Sequence, residues 1–179
     1  MRGDNYLEIT PLLEMARAMC DALWKGQRGT TLQDKALSDS LETFLRLFHH
    51  HHGVVGLHTN NPQQSLLHFK AFIDMLRAKF GGDKPTGGTD QSLGVGWNEL
   101  GNAYLQNGLH SEAEDSFRKS IEALRCLSGS TEISINMPLI NLAFCFWLQG
   151  RLRDAESTFD ESLTAREMEY GVDDTTSFV

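Results

Sequence analysis

The chain has 179 residues, the length of one ordinary domain, and a net charge of −8. Its 40 % hydrophobic and 22 % charged residues exclude a disordered, collagenous or disulfide-rich protein, and its three cysteines are typical of a reducing compartment. The net negative charge falls after residue 93 and no basic stripe is present, so we expect no nucleic-acid partner.

The chain shows neither a secretory signal nor a membrane span. Its first residues lack the basic segment and apolar core of a signal peptide. The longest mostly apolar run covers residues 137–148, and a membrane helix needs about 20 apolar residues. We therefore expect a cytoplasmic protein without a membrane partner.

Residues 1–45 predict helices that form a degenerate or capping repeat. Thr10 and Pro11 are typical of a helix start, and apolar residues follow at helical spacing until the glycines near residue 26. A second, longer helix is predicted from Leu32 to about His58.

Residues 46–93 form a degenerate repeat that ends in a long loop, residues 82–93. They include four consecutive histidines, residues 49–52. On a helix only His49 and His52 share a face, and no cysteine or carboxylate lies nearby at metal-ligand spacing, so we expect no metal. We interpret His49 and His52 as packing residues and expect His50 and His51 to face a groove.

Two further repeats, residues 94–135 and 136–177, are related by a shift of 42 residues. In each copy, apolar and small residues at helical spacing are followed by a glycine stop and a second helix with small and large packing residues. The residues that carry this pattern are Trp97, Leu100, Gly101, Tyr104, Ala113 and Phe117 in the first copy, and Leu142, Ala143, Phe146, Ala155 and Phe159 in the second.

This pattern resembles the tetratricopeptide repeat (TPR), in the longer form found in kinesin light chains and many fungal TPR proteins. The segment from His49 to Phe69 is also similar to fungal proteins with a MalT-like TPR region. The resemblance implies an all-α, right-handed solenoid of antiparallel helix pairs. It further implies a non-enzymatic scaffold that binds a peptide segment or helix of a partner protein in its concave groove.

The groove positions implied by this resemblance are Asn98, Asn102, Asn141, Phe144 and Trp147, with His50 and His51 at one end. An asparagine amide both donates and accepts hydrogen bonds, so it suits the backbone of a bound peptide. The basic residues of a carboxylate clamp are missing, and an acidic, partly apolar groove favours a basic or apolar segment. Two alternatives stay open: the asparagines are merely solvated, or Phe144 and Trp147 are core residues.

No nucleophile with a base and no phosphate-binding glycine loop stands out, so we expect no enzyme and no cofactor. One alternative is a regulatory TPR fragment of a larger signalling or transcription-control protein, and another is an accessory protein of a fungal biosynthetic pathway. The next repeat would begin at Phe178, which favours either a longer array or a homodimer through the uncapped C-terminal repeat.

Overall fold

The structure is a computed structural model that describes residues 11, 14, 15, 17, 18, 21, 32–83, 90–127 and 135–170. Its helices are α1 (Leu32–His58), α2 (Pro62–Phe80), α3 (Ser92–Gln106), α4 (His110–Arg125), α5 (Asn136–Leu148) and α6 (Leu152–Tyr170), and the described residues contain no strand. The all-α helical repeat is thereby confirmed, as is the long helix from Leu32 to His58.

Some predicted features lie wholly or partly outside the described residues. They are most of the helix that starts near Thr10, most of the loop 82–93, and residues 171–177 of the last repeat. The boundary predicted between residues 45 and 46 falls inside α1, because one uninterrupted helix runs through it.

The chain divides into two compact units, residues 1–72 and 73–179. In the first unit, α1 packs against the first half of α2. The Ser65 hydroxyl donates a 3.0 Å hydrogen bond to the Gly53 carbonyl, and a Cβ on Gly53 would lie 2.7 Å from the Phe69 ring. Glycine at position 53 therefore permits the close approach of the two helices.

The second unit contains two helix pairs, α3 with α4 and α5 with α6, and α5 also packs against α3 and α4. The Ser120 hydroxyl ties α4 to α3 through a 2.7 Å bond to the Gly94 carbonyl. The core that joins the two pairs is apolar and consists of Ala113, Phe117, Ile121, Leu139, Leu142, Cys145, Phe146 and Ala155.

The residues of the repeat pattern are buried or half-buried, with one exception. Phe159 was expected on a packing face, but its side chain is 45 % exposed. The equivalent Phe117 is covered by the helix that follows its own pair, whereas no described helix follows α6.

Both pairs turn on a glycine in the left-handed conformation, Gly108 (φ 70°) and Gly150 (φ 75°). The Gly108 amide donates to the Leu105 carbonyl at 2.9 Å and the Leu109 amide to the Tyr104 carbonyl at 3.0 Å, which is a Schellman helix end. The helix stops predicted at these glycines are therefore confirmed.

Replacing Gly108 with alanine is expected to lower the free energy of unfolding by about 1–2 kcal/mol. A Cβ disfavours the left-handed conformation by that amount, although open space surrounds the position. Urea unfolding followed by far-ultraviolet circular dichroism measures the change. An unaltered midpoint would show that the turn tolerates a side chain.

Candidate interaction surface

Helix α5 is apolar on both of its faces and carries no charged residue. One face is buried in the core through Leu139, Leu142 and Phe146. The opposite face is exposed and presents Met137, Ile140, Phe144 and Trp147. Because a helix that is apolar all round is normally buried, the exposed face of α5 has the character of a surface that a partner covers.

Phe144 and Trp147 stand next to each other on this face. Their rings stack with centroids 5.6 Å apart and an interplanar angle of 22°. Both side chains are exposed, so the alternative that they are core residues does not hold within the described residues. Large aromatic side chains are the residues that most often dominate the energy of protein interfaces.

The asparagines predicted to line the groove do not share one environment. Asn141 donates a 2.8 Å hydrogen bond from Nδ2 to Oδ1 of Asn98, and Asn98 is itself buried. This bond joins α5 to α3, so Asn98 contacts the neighbouring helix instead of facing an open groove. Asn102 is half-buried.

His50 and His51 belong to the other compact unit, and their assignment to the groove stays a prediction. The His50 ring lies against two phenylalanines of α2, with centroids 6.2 Å from Phe69 and 5.1 Å from Phe72.

A histidine cluster, His49, His52 and His68, fills the contact between α1 and α2 around Phe48. Nδ1 of His49 and Nδ1 of His68 are 3.1 Å apart and share a hydrogen bond, and the ring of His68 stacks on that of His52 at 5.0 Å. His52 is buried, as the packing interpretation predicts. Sequence alone gave no sign of His68, because it comes from the next helix.

Burial lowers the pKa of each histidine in this cluster, and the neighbouring histidines and Arg17 add to the effect at His68, whose pKa falls to about 4. At neutral pH the cluster is therefore uncharged. Among the described residues, no group of three or more potential ligands is arranged to hold a metal ion.

A separate cleft of about 620 Å³ runs between α4 and α6 over a floor of Leu139, Leu142 and Phe146. Arg118, Arg125 and Arg151 border it, and two of their guanidinium groups lie over the Phe146 ring. That of Arg118 lies 5.6 Å and that of Arg151 4.2 Å from the Phe146 ring centroid. Both also bond to Glu114, at 3.0 and 2.7 Å, so their charges are compensated within the chain. The i, i+4 spacing of Glu114 and Arg118 predicts their ion pair from the sequence. Arg151 belongs to the next repeat, so its contact with Glu114 becomes visible only in the structure.

Pairs of helices that repeat with the same glycine turn define a helical-repeat protein. The sequence model of the tetratricopeptide repeat family matches residues 92–168, the stretch that contains both helix pairs of the second unit. Such repeats generally mediate protein–protein interaction.

Among curated proteins, none matches the chain. No helix among the described residues is long and apolar enough to span a membrane. The longer repeat subtype, the similarity to kinesin light chains and MalT-like proteins, the fungal origin and the cytoplasmic location stay predictions.

Proposed function

We propose that this chain is a non-enzymatic interaction module in which the exposed face of α5, with the adjoining surface of α3, binds an apolar segment of a partner protein. The observation that carries the proposal is the exposed stack of Phe144 and Trp147 on a helix whose other face is already buried.

The chemistry of the surface favours this class of partner. The only charged residue in α3 and α5 is Glu99, so a bound segment meets mostly apolar and amide groups with one carboxylate. The partner segment is therefore apolar, with at most a basic flank. Asn141 is held in place by Asn98, which leaves Asn102 as the groove amide that we propose contacts the partner's backbone.

The experiment compares partner capture by the immobilised chain and by a Phe144→Ser/Trp147→Ser variant. Removing two exposed aromatic anchors is expected to weaken the dissociation constant of a captured partner by about thirtyfold, equivalent to about 2 kcal/mol. The helices remain intact because neither side chain is buried, and circular dichroism verifies this.

Leu67→Ser is the matched control, since Leu67 is an exposed apolar residue of α2 in the other unit. Partners that bind the unmodified chain and the Leu67→Ser variant, but not the double variant, support the proposal. Equal recovery on all three proteins would contradict it and place partner binding on another surface.

A further inference from the structure

We infer that α6, together with Ile140 at the edge of the exposed face of α5, forms a second docking surface, which accepts a basic amphipathic helix of a partner protein. We call this surface the end face and define it by Ile140, Phe159 and Leu163. It lies on the side of the last described helix pair that no described residue covers.

The internal repeat shows what such a face looks like when it is covered. A shift of 42 residues relates Ile140, Phe159 and Leu163 to Asn98, Phe117 and Ile121. The three earlier residues are 8, 0 and 6 % exposed, whereas the three of the end face are 39, 45 and 57 % exposed. The same positions of the fold are thus closed in one pair and open in the next.

The element that closes the inner face is a single helix, α5. It packs against α3 and α4 and places Leu139, Leu142 and Phe146 in one core with Phe117 and Ile121. These three residues follow the spacing i, i+3, i+7, which is one stripe of a helix. The complement of the end face is therefore a helix with an apolar stripe of the same spacing.

Charge distinguishes the helix that fits the end face from α5 itself. A shift of 42 residues relates Arg118 and Arg125 of α4 to Asp160 and Glu167 of α6, so two basic positions become acidic. The remaining acid of this stretch of α6, Glu161, pairs with Arg125 of α4. The guanidinium of Arg118 lies 5.6 Å from the Phe146 ring centroid, so this position borders the docked helix. Its equivalent in α6 is Asp160, which is exposed.

An incoming helix therefore meets carboxylates where α5 meets guanidinium groups, and lysine or arginine beside its apolar stripe would pair with them. Residues 171–179 contain two aspartates and no basic residue, so they do not have this chemistry. A second copy of the end face carries the same acids, and two such faces would repel each other. These charges favour a basic helix of another protein over the homodimer.

The test uses a fluorescein-labelled helical peptide with leucine, leucine and phenylalanine spaced as Leu139, Leu142 and Phe146 on an alanine and lysine background. A twin peptide carries glutamate in place of lysine. Fluorescence anisotropy with the full chain is expected to give a dissociation constant about tenfold lower for the lysine peptide. Phe159→Ser is expected to weaken that binding about tenfold, and Leu163→Ser gives an independent check because its side chain is more exposed.

Two further variants make the test specific. Asp160→Lys/Glu167→Lys is expected to reverse the preference, so that the glutamate peptide binds more tightly. Phe144→Ser, which alters only the groove, is expected to leave the affinity within about twofold. This control separates failure of the end face from failure of the proposed function.

Three outcomes would overturn the inference. Equal affinity for both peptides would show that the carboxylates of α6 do not select a basic helix. Loss of binding with Phe144→Ser but not with Phe159→Ser would place the peptide in the groove. A dimer detected by analytical ultracentrifugation that dissociates with Phe159→Ser would assign the face to a second copy of the chain.

Discussion

Replacing Phe117 with alanine is expected to lower the free energy of unfolding by about 3–5 kcal/mol, which is the usual cost of removing a buried aromatic side chain. Phe117 is fully buried in the core that joins the two helix pairs. Its ring also lies against Gly101, where an added Cβ would come within 2.5 Å of it. Because backbone and ring already touch, the neighbouring helices cannot easily close the cavity.

Phe159→Ala is the matched control, because Phe159 occupies the same place in the next repeat and is 45 % exposed. It is expected to cost about 1 kcal/mol, since little cavity forms. Urea unfolding of both variants, followed by circular dichroism, measures the difference. Similar losses for the two variants would mean that Phe159 is covered in solution and would contradict the assignment of an open end face.

This pair of residues also shows what the sequence can and cannot predict. The 42-residue spacing places both phenylalanines at one position of a helix pair, because helix periodicity and glycine turns are local properties of the chain. Whether each ring is buried depends on the helix that comes next. That information lies outside the repeat, so the same pattern gives a fully buried ring at Phe117 and a ring that is 45 % exposed at Phe159.

The candidate groove divides in the same way. Phe144 and Trp147 lie exposed on the face to which their spacing assigns them, and their role in binding stays a prediction. Asn98 follows the same spacing, yet it is buried because Asn141 reaches it across the contact between α3 and α5. A pattern of residue types identifies the face of a helix but not the hydrogen bond that closes part of it.

Acidification from pH 7 to pH 4 is expected to destabilise the first compact unit by about 3 kcal/mol through His68 alone. Burial, followed by the neighbouring His49, His52 and Arg17, lowers its pKa from an ordinary value of 6.5 to about 4. A difference of one pKa unit between the folded and unfolded states corresponds to about 1.4 kcal/mol.

The sign follows from which state binds the proton more tightly. The unfolded chain takes up a proton at His68 near pH 6.5, and the folded chain takes it up only near pH 4. The contribution of His68 to the free energy of unfolding is therefore complete above pH 6.5 and is lost as the pH falls toward 4. His49 and His52, whose pKa values burial also lowers, add to the loss in the same direction.

The geometry of the cluster explains why protonation is unfavourable. His52 is 1 % exposed, and within the described part of the chain neither of its ring nitrogens has a hydrogen-bond partner. The carboxylate of Glu14, 3.7 Å from Nε2, raises its pKa, but the effect of burial is larger. The hydrogen bond between His49 and His68 needs one ring nitrogen without a proton. A second proton breaks that bond and places two like charges together, beside the guanidinium of Arg17 that lies over Phe48.

Burial also lowers the pKa of His50, which acts in the same direction as the cluster. Among the described residues, the carboxyl group with a shifted pKa titrates in a separate range. Burial alone would raise the pKa of Asp90, but hydrogen bonds from Lys79 and Ser92 outweigh it and lower the pKa to about 2. A carboxyl group with a lowered pKa stabilises the fold until the pH falls below its ordinary value of 3.8. A loss of stability between pH 6.5 and 4 therefore reports on histidine.

The measurement is urea unfolding at pH 7, 5.5 and 4 for the unmodified chain, His68→Phe and His58→Gln. Phenylalanine at position 68 keeps a ring against Phe48 but cannot bind a proton. Unfolding at acidic pH is therefore expected to take up about one proton fewer than in the unmodified chain. His58 lies exposed at the end of α1, outside the cluster, and its replacement is the control for changing a histidine elsewhere in the same unit. If His68→Phe loses as much stability on acidification as the unmodified chain, the acid sensitivity does not originate in the cluster, and its close packing accommodates the charge.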